Sequence, residues 1–288
     1  MKTLTIFTPA YNRADMLPSL YESLLAQTSS DFTWLVVDDG SEDGTDKVLQ
    51  SFIDEGKLEI RVIRQENGGK MRAHNTGVKN AETELFVCLD SDDRFTKEAV
   101  SDILKLWDGV RHRKEIAGIV ANKGSDDESP LYGQYLPDVK EDTLSGLYSR
   151  GYKGETTLVY RTEILKDHLF PEIPGEKYVP EDVVYDQIDR DFKLIVLNKV
   201  LTVCILTEGG LTGKAEELRK KNPTGWYIYY VNRSKNTPFS ILKLKYLSHY
   251  LRFRPVADRK TREEYSLPFA AALPGLPGAL ILTLMGKR

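Results

Sequence analysis

Cysteine is nearly absent: two occur in 288 residues, Cys88 and Cys204, each inside an apolar run, LFVCLD and LTVCILT. A disulfide framework and a cysteine-based zinc site are therefore excluded, and both thiols read as buried structural residues. The four histidines, His74, His112, His168 and His249, stand at no metal-ligand spacing. No internal repeat or low-complexity tract is present, which excludes solenoids and arrays. The N-terminal MKTLTIFTPAYNR lacks the long apolar stretch of a secretory signal, so the expectation is a chain that begins and stays in the cytosol. The glycine-rich turns match neither G-x-x-x-x-G-K-[ST] nor G-x-G-x-x-G, which disfavours an ATPase or a dinucleotide site.

What is present suits a large α/β domain with an appendage. Hydrophobic residues make up 41% of the chain and charged residues 29%, too apolar for disorder and long enough for a sizeable core. The net charge of −3 conceals a division. Residues 218–262 hold twelve Lys and Arg against one acid, Asp258, while the remainder holds 28 basic against 42 acidic side chains. An acidic body argues against a whole-surface nucleic-acid binder, and the basic segment implies some anionic surface.

Hydrophobic periodicity predicts alternating strands and helices over the first ninety residues. The strands are 4–8 (stopping at Pro9), 32–37, 59–63 and 85–89, and the helices 17–27, 45–53 and 71–79. That rhythm implies a parallel sheet with right-handed crossovers. Polar clusters follow each strand, where open α/β sheets bind ligands. Further on, residues 122–150 read as a loop over a cleft, 156–161 as a strand and 162–167 as a short helix. A Pro/Gly-punctuated loop at 171–180 precedes Glu181-Asp182 at the head of a helix, and 194–207 supplies one or two strands.

Asp90-Ser91-Asp92-Asp93 puts three carboxylates into four residues, which repel unless a cation sits among them. Such oxygen ligands suit Mg²⁺ or Mn²⁺, commonly completed by substrate phosphates, so a phosphate-bearing ligand is expected. Asp38-Asp39-Gly40-Ser41 and Thr8-Pro9-Ala10-Tyr11-Asn12-Arg13 close earlier strands. Glu66-Asn67-Gly68-Gly69-Lys70 places two glycines before a helix N-terminus, whose backbone N–H groups and dipole favour phosphate. Tyr11 suits covering a base, and Asp38 suits accepting from a pyrimidine ring N–H. His74, on the helix after the glycines, reads as a solvated helix residue.

In this order TPAYNR, VVDDGS, ENGGK and LDSDD resemble an inverting family 2 glycosyltransferase of the GT-A fold, and Glu181-Asp182 resembles that family's catalytic motif. The resemblance implies a Rossmann-like, mostly parallel sheet flanked by helices, over residues 1–215. Residues 1–95 form the nucleotide-binding half and 96–215 the acceptor half, while 216–288 form a basic, amphipathic extension. It also implies a nucleotide-diphospho-sugar donor, commonly UDP-linked, and Mn²⁺ or Mg²⁺ as cofactor. By that likeness Pro9, Ala10, Tyr11 and Asp38 contact the nucleoside, with Thr8, Asn12, Asp39, Asn67, Gly69, Lys70 and Ser91 in the same loops. Asp90 then meets the ribose, Asp92 the metal, and Asp182 is the base, with Glu181 its rival. Glu155 is a candidate for lining the sugar or acceptor pocket, and residues 208–212 for a loop closing over it. The expected acceptor is a saccharide or lipid-linked hydroxyl, in surface polysaccharide or glycolipid synthesis. A nucleotidyltransferase and a non-catalytic nucleotide-sugar-binding scaffold remain alternatives.

The last third points to a membrane surface. Phe239, Leu242, Tyr246, Tyr250 and Phe253 share one helical arc beside lysines and arginines, and residues 266–286 carry no charge. Twenty-one residues match the ~20 needed to span a bilayer. Pro268, Pro274 and Pro277 break a straight helix, so a shallow or broken membrane-associated segment is expected. Trp226–Tyr230, an aromatic run, suits either a core or a membrane interface. Together 218–286 are expected to hold the chain peripherally on the inner face of the cell membrane, through an anionic leaflet and not through nucleic acid.

Overall fold

A computed structural model describes residues 2–204 and 215–284; the loop expected at 208–212 lies outside them. The chain divides into two compact units, one of Met1–Leu169 with Ile188–Thr207, the other of Phe170–Gln187 with Glu208–Arg288. A division at residue 215 was expected; instead the helix headed by Asp182 belongs with the C-terminal residues.

The N-terminal unit runs β1 (Leu4–Ala10), α1 (Leu17–Leu25), β2 (Phe32–Asp38), α2 (Thr45–Glu55), β3 (Ile60–Arg64), α3 (Lys70–Asn80) and β4 (Leu85–Cys88). It continues through β5 (Asp93–Phe95), α4 (Ala99–Val110), β6 (Ile116–Gly124), β7 (Glu141–Asp142), α5 (Leu144–Ser149), β8 (Thr156–Arg161), α6 (Thr162–Asp167) and β9 (Lys193–Cys204). The sheet order is β3-β2-β1-β4-β8-β6-β9-β5, with β7 also on β9. The first four ordered strands are parallel, as the alternation implies. β8 then inserts antiparallel between β4 and β6, so the second half of the sheet is mixed.

β1 does not stop at Pro9 but runs on to Ala10, in register with Asp38. Leu89 N–H donates to Phe7 O as the last link to β4, and Asp39 N–H donates to Ala10 O on the other side. Backbone groups alternate sides along a strand, so Pro9 faces the side where β4 has already turned away, and its missing N–H has no ladder to break. The loop expected at 122–150 is partly ordered, because β6 extends to Gly124 and Thr143 caps α5 by accepting from Gly146 N–H.

One face of the sheet packs Leu4, Ile6, Trp34, Val36, Leu85 and Val87 with Leu17, Leu20 and Leu24 of α1, and Ile103 and Trp107 of α4. The other face receives α3. His74 is buried there, edge-on to Phe7 and Phe86 with ring centroids 5.6 and 5.4 Å away. It is neither solvated, as expected, nor at a helix end where phosphate binds. Gly77 lets α3 lie close on the sheet, since a Cβ there would stand 2.5 Å from the Phe7 ring.

The C-terminal unit is helical: α7 (Asp182–Ile188, all but its last residue), α8 (Ala215–Lys221), α9 (Pro223–Asn236), α10 (Ile241–Phe253), α11 (Arg259–Glu264), α12 (Phe269–Ala272) and α13 (Leu276–Leu284). α10 packs on α9 and on α13. Trp226–Tyr230 supplies this core, with Tyr227, Ile228 and Tyr230 buried. The expected outward arc is corrected here. Phe239 precedes α10, while Tyr250 and Phe253 are buried, Tyr250 stacking on Tyr227 at 5.6 Å and Phe253 lying 5.5 Å from Tyr230. Their arc is the inner face because α9 covers it. The uncharged segment is broken as its prolines require, into α12, a 3₁₀ turn at Leu273–Gly275, and α13. Among the described residues no helix is long and apolar enough to cross a membrane.

Gly77→Ala should lower stability by about 1–3 kcal/mol in urea unfolding, and a Gly77→Ala/Phe7→Leu double variant should regain part of it. Unchanged stability of the single variant would contradict the close approach of α3.

Candidate functional site

Four adjacent strand ends gather the polar loops at one edge of the sheet. Ala10, Asp38 and Arg64 are in register across β1, β2 and β3, and Asp90 follows β4. This brings together Thr8 through Asn12, Asp38, Asp39, Asn67, Gly69, Lys70, Asp90, Ser91 and Asp92, all within the N-terminal unit.

Asp38 is buried at 1% exposure. Its Oδ1 accepts from Ser41 N–H at 2.8 Å. Its Oδ2 makes no hydrogen bond, although Arg64 Nη1 stands 3.5 Å away and Arg64 Nη2 donates to Ser41 O. Asn12, at φ 53°, ties the first loop to the second by donating its N–H to Ser41 Oγ and accepting from Glu42 N–H. Tyr11 beside it is 47% exposed, leaving a ring face open. Thr8 differs from expectation: its hydroxyl is fully buried and accepts from Trp34 Nε1 at 3.0 Å, so it serves the core.

Asp39 explains the glycine turn. Its Oδ1 accepts from Gly68 N–H at 2.9 Å and Gln65 Nε2 at 2.7 Å, and its Oδ2 from Gly69 N–H at 2.8 Å. Asn67 Nδ2 closes the clasp on Asp39 O. The N–H groups expected to receive phosphate are thus occupied by a protein carboxylate, which itself complements the positive end of α3. Lys70, first in α3, places its Nζ 2.8 Å from Asp90 Oδ1.

The acidic cluster is already neutralised by lysines. Lys123, at the end of β6, places Nζ 2.9 Å from Asp93 Oδ2 and 4.0 Å from Asp90 Oδ2. Burial works against ionising Asp90, but the Lys70 and Lys123 ammoniums prevail and hold its carboxyl at about 2. Burial pushes Asp93 up, opposed by Lys123. For Lys123, burial is outweighed by Asp90 and Asp93, which raise its pKa and keep it charged. The two cysteines sit in the same cluster, Cys88 Sγ 3.9 Å from Asp90 Oδ1 and Cys204 Sγ 3.7 Å from Asp93 Oδ2. They are half-buried, not core thiols, and burial pushes Cys204 up to about 12. Glu155 is exposed just before β8 and acts electrostatically on Cys204, while its carbonyl accepts from Lys123 N–H. It therefore lies on the same side as the cluster.

Ser91 is buried and Asp92 half-buried. Among the described residues no group of three or more His, Cys, Asp or Glu is arranged to hold an ion. Asp92, in the same loop, is the carboxylate that would hold a hard cation, whose remaining oxygens a diphosphate would supply.

In the C-terminal unit, Glu181 is exposed and Asp182 opens α7. Asp182 Oδ1 lies 2.5 Å from Arg233 Nη2, with the Asp182 side chain 37% and that of Arg233 16% exposed. Arg233 Nη1 is 3.1 Å from Oδ1 of Asp186, which is 3% exposed. Sequence reasoning missed Lys123, Arg64 and Arg233. The available signals were a lysine and an arginine at apolar strand ends, and an arginine among the aromatics of α9.

Residues 5–169 match the family described as Glycosyl transferase family 2. The chain is 29% identical over 177 residues to the poly(ribitol-phosphate) β-N-acetylglucosaminyltransferase TarS of Staphylococcus aureus, covering 60% of this chain and 30% of that protein. It is 32% identical over 229 residues to the glycosyltransferase GlyA of Streptococcus pneumoniae, covering 73% of this chain and 31% of that one. The chain thus spans under a third of the length of these two relatives. Among solved structures, S. aureus TarS 1–349 in complex with UDP-GlcNAc superposes with a TM-score of 0.63 at 22% identity, covering 96% of this chain and 79% of that one. The mannosyltransferase PcManGT of Pyrobaculum calidifontis, in complex with GDP-Man and Mn²⁺, gives 0.58 at 14% identity, covering 97% and 80%. These likenesses show the fold, a GT-A-type α/β sheet.

Lys123→Met should cost about 3–5 kcal/mol at pH 7, because it strands Asp93 and Asp90 without their cation. Asp90 has a folded pKa below its ordinary value, so its contribution is complete above about pH 4 and lost as pH falls through about 2. The gap between wild type and variant, measured by urea unfolding, should narrow as the pH falls toward that range. A gap independent of pH would contradict the assignment.

Proposed function

Since the chain belongs to glycosyl transferase family 2, we propose that it moves a sugar from a UDP-sugar to an acceptor hydroxyl by single displacement with inversion. The observation that carries the donor reading is Asp38 Oδ2, a buried carboxylate oxygen without a hydrogen bond. The ring N–H of uracil supplies a donor for it; cytosine presents an acceptor at that position. The UDP-GlcNAc complex of TarS supports the same nucleotide and makes N-acetylglucosamine the first sugar to try.

Tyr11 covers the base, and Asp90, kept ionised by its lysines, accepts from ribose hydroxyls. Asp182 takes the proton of the acceptor hydroxyl as its oxygen attacks the anomeric carbon. Glu181, also at the head of α7, is the rival carboxylate. Bound Mn²⁺ or Mg²⁺ would offset the charge gathering on the diphosphate leaving group. Asp92 would hold it, and Lys70 adds fixed positive charge at the same edge. Glu155 is proposed to line the sugar pocket. The proposed acceptor is a saccharide or lipid-linked hydroxyl of a surface polymer or glycolipid.

The C-terminal unit is proposed to rest on an anionic leaflet of the cytoplasmic face. Leu276, Leu280 and Leu284 recur every fourth residue on α13 and are exposed, as are Phe269 and Leu273 before them. Exposed Lys245, Arg254 and Lys260 accompany them in sequence. Such cations contribute about 1 kcal/mol each near an anionic surface, and apolar side chains enter the headgroup boundary.

Asp182→Asn should reduce UDP release from UDP-GlcNAc by about 10²-fold or more with UDP affinity little changed; a crippled Glu181→Gln beside an active Asp182→Asn would reassign the base. EDTA should abolish turnover and Mn²⁺ restore it, whereas full turnover in EDTA would refute metal dependence. The chain should sediment with phosphatidylglycerol vesicles, less so in high salt or as Leu280→Asp. Failure to bind, or equal binding to neutral vesicles, would refute the electrostatic attachment.

A further inference from the structure

We propose that Arg233 is a positioning residue for the proton-accepting carboxylate of Asp182, an inference that rests on the reading of Asp182 as the base. Asp182 and Asp186 stand four residues apart on α7, the spacing at which like charges on a helix repel. Arg233 lies between them, Nη2 2.5 Å from Asp182 Oδ1 and Nη1 3.1 Å from Asp186 Oδ1. Asp186 is buried, so it anchors the guanidinium and sets where Asp182 must stand. The ring of Tyr229, one turn back on α9, lies 5.5 Å beneath the guanidinium. On either side of Arg233, Asn232 Nδ2 donates to Val183 O at 3.3 Å and Asn236 Nδ2 to Asp186 O at 3.0 Å. One face of α9 therefore grips both the backbone of α7 and its carboxylate.

The arrangement suits a carboxylate that must change charge during turnover. Arg233 holds Oδ1, and Oδ2 accepts no hydrogen bond from a described residue, which leaves it to take the acceptor proton. The acceptor oxygen keeps its electron pair for the new bond to the anomeric carbon, and the electrons of the broken carbon–oxygen bond leave with the diphosphate. When Asp182 becomes neutral, Arg233 retains Asp186 as its counter-ion, so no buried charge is stranded. Asp182 is exposed enough to return the proton to solvent.

The test compares Arg233→Ala, Arg233→Lys and Asp182→Asn in the full chain, reading UDP release from UDP-GlcNAc with water as acceptor, UDP affinity by calorimetry, and thermal midpoint. Arg233→Ala should lose about 10–100-fold in turnover, as outer-shell partners do elsewhere, with UDP affinity within about twofold. Millimolar guanidinium should restore part of that turnover without moving the thermal midpoint. Arg233→Lys keeps the charge but not the two-pronged contact and should also lose turnover; it carries the test if the alanine variant does not fold. Full turnover of a folded Arg233 variant, parallel loss of UDP affinity, or no rescue by guanidinium would overturn the proposal. An active Asp182→Asn would instead overturn the base assignment on which it rests.

Discussion

Carboxylates delivered to adjacent strand ends repel one another, and the N-terminal unit is organised around cancelling that repulsion. Asp38, Asp39, Asp90 and Asp93 all lie at the C-terminal edge of a sheet whose neighbouring residues are fixed by register. Each is held differently. Asp39 spends both oxygens on backbone and side-chain N–H groups of the glycine turn. Asp90 takes Lys70, and Asp93 takes Lys123. Asp38 keeps one buried oxygen without a hydrogen bond. That oxygen has the Arg64 guanidinium 3.5 Å away but no hydrogen bond, and a ligand N–H would supply the missing donor.

The same constraint separates roles that look equivalent in sequence. Asp38 and Asp39 are consecutive, yet Asp39 spends both oxygens on the glycine turn while Asp38 Oδ2 makes no hydrogen bond, because successive residues leaving a strand point to opposite sides. Gly68 and Gly69 look like a phosphate cradle when taken alone, but their N–H groups already have a carboxylate. In the proposed donor complex, the diphosphate would instead be met by side-chain cations such as Lys70.

The early strands, helices and ligand-bearing turns were legible because their signals are local: period-two and period-3.6 apolar patterns ending in polar clusters. β8 was legible as a strand at 156–161, but not its antiparallel place between β4 and β6, since pairing partners leave no mark in a single segment. Lys123 was invisible as a partner of Asp93 because thirty residues separate them. Arg233 was counted among the cations of a basic arm, and its burial against Asp182 and Asp186 depends on α9 meeting α7. The aromatic arc of α10 misled in the same way. Helical spacing shows that Tyr250 and Phe253 share a face, but not that α9 already occupies it.

The central proposal is a uridine nucleotide read by Asp38, whose Oδ2 makes no hydrogen bond. Calorimetric titration of UDP and CDP, which differ only in the base, into wild type and Asp38→Asn tests that most directly. A hydrogen bond to a charged acceptor is worth about 1.5–3 kcal/mol, so UDP should bind wild type at least ~10-fold more tightly than CDP, and Asp38→Asn should erase most of that preference. Equal affinity of wild type for the two nucleotides, or an Asp38→Asn variant that retains the full preference for UDP, would contradict the account.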